Sequence, residues 1–171
     1  MTTPSKSSAA MPGRIPTKSS DGMDAIELLT QDHDNVKALF QQFEEAGEKA
    51  YASKKKLARQ ICLELTRHAT AEEELFYPAV RAAGGENEDL VDEALVEHAS
   101  AKELIAQILA MEASDELFDA KVKVLSEQIE HHVEEEEGEM FPKAKKAKLD
   151  LAALGEAIEA RKAEIELPVT Q

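Results

Sequence analysis

The sequence has a single cysteine, Cys62, so no disulfide can form within the chain, and a reducing compartment suits it. Tryptophan is absent, and aromatic residues make up only 4% of the chain. Seven glycines and six prolines in 171 residues leave little material for the many turns of an all-β fold. No apolar run approaches the roughly 20 residues that a bilayer-spanning helix needs. No signal-peptide core follows Lys6 either, so a cytoplasmic protein is expected. Basic residues are outnumbered 20 to 35 by acids, giving a net charge of −15. That charge repels nucleic acid and anionic membranes, excludes both as expected partners, and favours cations.

What is abundant is Ala, Glu, Lys and Leu, a composition that favours helices. Residues 1 to 22 are rich in Ser, Thr, Pro and Gly and are expected to form a disordered tail, because they offer too little apolar surface to offset ordering. Asp24 and Glu27 have the spacing of a capping box, and Ile26, Leu29, Val36, Leu39, Phe40 and Phe43 follow at helical intervals. The first helix is predicted over 24–47. A second should begin near Ser53, kink or restart near Pro78 and stop at Gly84-Gly85. A third, capped by Asn87, should reach about Met111. A fourth should follow Ser114-Asp115 and end near Gly138 or Pro142, and a fifth amphipathic helix spans Leu149 to Ile165. The predicted fold is all-α, an up-down-up-down four-helix bundle over 23–147, with an additional C-terminal helix and tail over 148–171.

Two stretches carry the chemistry. Leu65 to Pro78 contains His68 and Glu72 four residues apart, and Ile129 to Pro142 contains His132 and Glu136 at the same spacing. Each copy then reaches an aromatic residue and a proline. Four residues make one helical turn plus about 40°, so imidazole and carboxylate project from one face. That pair suits iron, manganese or zinc, and a carboxylate between two ions can bridge them. One such pair is commonly a solvated contact on an acidic helix; two in matching positions argue for a site.

The repeat extends further. Asp32-His33 is followed by Lys37, and Glu97-His98 by Lys102, each with two apolar residues after the lysine. The chain reads as two related helical hairpins, each offering His, His and Glu. Residues on antiparallel neighbours are level when the turn falls at their midpoint, since both helices rise about 1.5 Å per residue. The midpoints for His33/His68, Glu72/His98 and His98/His132 fall near Ala50-Tyr51, at Gly85 and at Asp115, in or beside the predicted turns. His33, His68, Glu72, His98, His132 and Glu136 should share one interior layer, which would be costly in an apolar core without a metal or tight hydrogen bonds.

With these motifs the chain resembles the hemerythrin-like, or HHE cation-binding, family over about Asp24 to Lys146. The resemblance implies a four-helix bundle holding two iron ions, with His33, His68, His98 and His132 as terminal ligands and Glu72 and Glu136 as bridges. It also implies a role with oxygen, peroxide, nitric oxide or iron. Oxygen-carrying members have another His where this chain has Lys102, and an Asp five residues after the last His, where this chain has Glu137. Reactions that consume a small oxygen or nitrogen species, or iron sensing, are therefore favoured over reversible oxygen carriage. His131 and Glu135 repeat the four-residue spacing, although the alignment of the halves favours His132. Glu73, Glu134 and Glu137 read as acids that support the ligands or face solvent, and Phe76, Tyr77 and Phe141 as packing. The alternative function is a metal-free or regulatory helical module that binds another protein.

Overall fold

The structure, a computed structural model, describes residues 22–168; the segment 1–21 of the expected tail lies outside the described residues. All regular structure among them is helical: α1 (Ala25–Glu45), α2 (Tyr51–Ala71), a π-helical turn π1 (Glu72–Phe76), α3 (Tyr77–Ala82), α4 (Asn87–Ala110), α5 (Phe118–Glu135), a second π turn π2 (Glu136–Met140), α6 (Phe141–Lys146) and α7 (Leu151–Ala163). The capping box forms as its spacing predicts. Glu27 N donates to Asp24 Oδ1 at 2.9 Å and Asp24 N to Glu27 Oε2 at 3.0 Å. Asn87 does not cap α4: Glu86 precedes the first helical residue, and no side chain among the described residues closes that end. Gly84 and Gly85, at φ 77° and 72°, make the left-handed turn between α3 and α4.

Helices α1, α2, α4 and α5 pack around two apolar clusters. One gathers the late part of α1 (Val36 to Phe43), the early part of α2 (Ala58 to Leu65), the end of α4 (Ala101 to Ile108) and the start of α5. The other gathers Ala25 to Leu29, Ala71 to Val80, Val91 with Ala94, and Met140 to Ala144. Late residues of one helix meet early residues of the next, so neighbours run antiparallel. Between the clusters lie six buried polar side chains, His33, His68, Glu72, His98, His132 and Glu136.

Neither proline ends its helix. Pro78 and Pro142 lack the N–H of an α-helical turn, and their rings clash with the carbonyl four residues earlier. Each is preceded by a widened turn instead, in which Tyr77 N bonds to Glu72 O and Phe141 N to Glu136 O. The expected restart near Pro78 is present as α3, which begins at Tyr77 after π1. The expected end near Gly138 or Pro142 is overturned, because the helical path continues through π2 and α6 to Lys146.

Helix α7 packs on α1, α2 and π1 and buries Ile158 in the second cluster. Gly155 makes this approach possible, since a Cβ there would stand 2.7 Å from Met23 O and 3.0 Å from Ala25 N.

Candidate metal centre

The structure brings the six singled-out side chains together as two overlapping groups. His33 and His68 stand with Glu72 and Glu136, and His98 and His132 stand with the same two carboxylates; within each group one potential ligand atom per residue lies within 4.8 Å of the others. Helices α1 and α4 supply one imidazole each. Helices α2 and α5 supply the other two, and the π turns begin with the shared glutamates.

Each ring turns Nε2 inward and Nδ1 toward an acid. His33 Nδ1 is 3.0 Å from Glu137 Oε1, and His68 Nδ1 is 2.9 Å from Asp32 Oδ2. His98 Nδ1 is 3.2 Å from Glu73 Oε2, and His132 Nδ1 is 2.9 Å from Glu97 Oε1. A carboxylate at Nδ1 keeps the proton there and leaves Nε2 with its lone pair facing the cluster. The four acids flank ligands in sequence yet serve a ligand of another helix. Asp32 precedes His33 but holds His68, and Glu73 follows Glu72 but holds His98. That cross-helix pairing is why sequence spacing gave Asp32 and Glu97 no assignment and left Glu73 and Glu137 undecided. Glu134 is exposed.

The inward nitrogens approach in pairs, His33 Nε2 to His68 Nε2 at 3.2 Å and His98 Nε2 to His132 Nε2 at 3.2 Å. Two nitrogens bound at right angles to one transition-metal ion stand about 3 Å apart. Both carboxylate oxygens of Glu72 and Oε1 of Glu136 are buried without a well-aligned hydrogen bond among the described residues, the latter with His33 Nε2 at 3.4 Å. Glu72 Oε1 presses directly on His68 Nε2. Buried unsatisfied carboxylate oxygens are expensive. Imidazole nitrogens in cis-like pairs with orphaned carboxylate oxygens between them are a donor set that fits metal ions.

Protons also satisfy part of this donor set. Burial alone would lower His68, but the charge of Glu72 and the hydrogen bond to Asp32 push it up to about 10. His132 goes up to about 11, burial again being outweighed, here by bonds to Glu136 and Glu97. Burial would raise Glu136, yet His132 and His33 hold it well below the usual carboxylate range.

Tyr77 belongs to the site, against the expectation that it only packs. Its hydroxyl donates to Glu136 Oε2 at 2.8 Å and stands 3.1 Å from His98 Nε2 and 3.4 Å from His132 Nε2. Burial, followed by the charges of Glu72 and Glu136, raises this phenol well above its ordinary value. The repeat places Phe141 opposite it, and that ring lies parallel to His33 at 5.8 Å. Lys102 makes no direct bond to the cluster's imidazoles among the described residues: Nζ binds Glu73 Oε1 at 2.6 Å, and Glu73 in turn holds His98. Above the four imidazoles is a cavity of about 30 Å³ with mainly apolar walls, including Val36, Leu65, Ala101 and Ile105.

Comparison with known proteins agrees with this architecture. Residues 24–144 match the hemerythrin HHE cation binding domain, and the chain belongs to that family. Among solved structures, an HHE cation binding domain-containing protein from Mycobacterium kansasii superposes with a TM-score of 0.70 at 27% identity, covering 83% of this chain and 86% of that one. An uncharacterised hemerythrin-like protein of Schizosaccharomyces pombe is 26% identical over 117 residues, 68% of this chain and 57% of that protein. A DNA nickase of Nostoc sp. is 32% identical over 131 residues, 75% of this chain. The chain spans 36% of the nickase and 57% of the yeast protein, so both relatives extend well beyond the shared part.

Proposed function

We propose that the protein holds two iron ions, one between His33 and His68 and one between His98 and His132, with Glu72 and Glu136 reaching both. It would act there on oxygen, a reactive oxygen or nitrogen species, or iron itself. The observation that carries this reading is the sharing of two buried carboxylates, three of whose four oxygens have no well-aligned hydrogen bond among the described residues, by two pairs of imidazoles. Iron bound there supplies one-electron chemistry and a Lewis acid.

The chain's own residues do the rest. Asp32, Glu73, Glu97 and Glu137 fix the imidazole tautomers. Tyr77 places a hydroxyl beside Glu136 and between two Nε2 atoms, where it can hold that carboxylate and hydrogen-bond a small reactant. The cavity of about 30 Å³ admits a molecule of two or three heavy atoms. No helix is long and apolar enough to cross a membrane among the described residues. We place the protein in the cytoplasm, consistent with its single buried cysteine. The activity named for the Nostoc relative belongs to a protein of which this chain spans 36%. With a net charge of −15 we propose no nucleic-acid partner.

The test is the metal content and visible spectrum of the full-length protein. About two irons per chain, with charge-transfer absorption in the near ultraviolet, support the reading. A protein that takes up no stoichiometric metal favours the metal-free interaction module.

A further inference from the structure

A third group of potential ligands lies outside the buried cluster. His131 is on the outer face of α5 with its side chain 64% exposed, and its Nε2 is 3.2 Å from Glu135 Oε1 and 3.7 Å from Glu97 Oε2. One imidazole nitrogen and two carboxylate oxygens thus converge from two helices within 4.8 Å. Glu97 faces both ways, since its other oxygen, Oε1, accepts the hydrogen bond from His132 Nδ1 at 2.9 Å.

Two further observations give this group a direction. A narrow crevice of about 10 Å³ between α4 and α5 has Glu97 and Glu135 along it, together with His132 and Glu136 of the buried cluster. The acids of the surface group and two side chains of the buried one therefore line a single opening. The second observation is the contrast between the two halves of the molecule. Asp32 is the counterpart of Glu97, with one oxygen on His68 Nδ1 at 2.9 Å, and its other oxygen is taken by the ammonium of Lys162 from α7 at 2.5 Å. The residue matching His131 is Arg67, which donates to Ile165 O, and the residue matching Glu135 is Ala71. In that half a protein cation sits on the outer carboxylate oxygen. In the half built from α4 and α5 the same position faces solvent, with His131 and Glu135 around it and Asp92 and Glu93 nearby.

We propose that Glu97, His131 and Glu135 form a surface site for a divalent transition-metal ion, and that this site loads the buried cluster along the crevice to Glu136. An imidazole and two carboxylates suit Fe²⁺, Mn²⁺ or Zn²⁺. Three ligands, partly exposed, leave the ion its remaining waters and hold it loosely enough to move on. The surface site stands on its own residues; the loading step rests on the buried cluster being a metal centre.

Equilibrium dialysis of the full-length protein against Zn²⁺ tests the site. The unmodified protein should hold one ion more than His131→Ala or Glu135→Gln, and Glu130→Ala, a charge control on the same helix, should match the unmodified count. Equal counts in the unmodified protein and His131→Ala overturn the site. If the buried cluster takes no metal, the unmodified protein should still hold one Zn²⁺ that His131→Ala loses, so that failure is separate from this one. Loading is tested by mixing metal-free protein with Fe²⁺ without oxygen. His131→Ala should incorporate iron several-fold more slowly yet reach the same final content. An unchanged rate overturns the loading role.

Discussion

Tyr77 and Phe141 hold matching places in the two halves, but only the phenol offers a hydroxyl, so the two imidazole pairs are chemically unlike. Tyr77→Phe removes a buried hydrogen bond to a carboxylate, which should cost the metal-free protein about 1.5–3 kcal/mol in urea unfolding. A loss no larger than at an exposed tyrosine such as Tyr51 would mean that the hydroxyl does not hold Glu136. Lys102 stands one turn after His98 on the wall of the cavity, and its ammonium is held by Glu73. Lys102→His should offer another nitrogen at the cavity wall and slow oxidation of the reduced, iron-loaded protein by oxygen, followed by stopped-flow absorbance. Unchanged kinetics would show that position 102 does not reach the reacting space. The imidazoles and the two shared glutamates were legible in the sequence because each half repeats them. Tyr77 was not, because one tyrosine near a proline looks like packing until the tertiary fold puts its hydroxyl among ligands from other helices.

At the scale of elements, the helices were legible from apolar periodicity, the capping box at Asp24 and Glu27, and the Gly84-Gly85 turn. The π turns were hidden. Proline signals trouble in a helix but does not say whether the chain will break, kink or widen, and here it widens at the shared glutamates. The docking of α7 was equally hard to read, since Gly155 looks like a weak helix residue rather than a contact point. Gly155→Ala would drive a methyl group into the backbone at Met23 and Ala25. It should destabilise the protein by about 1–3 kcal/mol and expose the C-terminal segment to limited proteolysis. Unchanged melting and cleavage would mean that α7 does not need this close approach.

For the whole molecule, the proposed function makes protons and metal compete for one buried layer between two apolar clusters. His68 and His132, pushed up to about 10 and about 11, lie above the unfolded histidine value of about 6.5. Their contribution to the metal-free fold is therefore complete below about pH 6.5 and is lost as the pH rises through 10 and 11. Metal must expel those protons, so its binding strengthens in the same direction. The melting temperature of the metal-free protein should fall from pH 7 toward 10 while the gap to the loaded protein widens; parallel curves would contradict this linkage. The central claim is that one layer of six side chains holds two ions through two shared glutamates. Anomalous diffraction at the iron edge from crystals of the loaded protein tests it most directly. Two peaks are expected, one beside His33 and His68 and one beside His98 and His132, with Glu72 and Glu136 reaching both. A single peak, or none within that layer, would contradict the account.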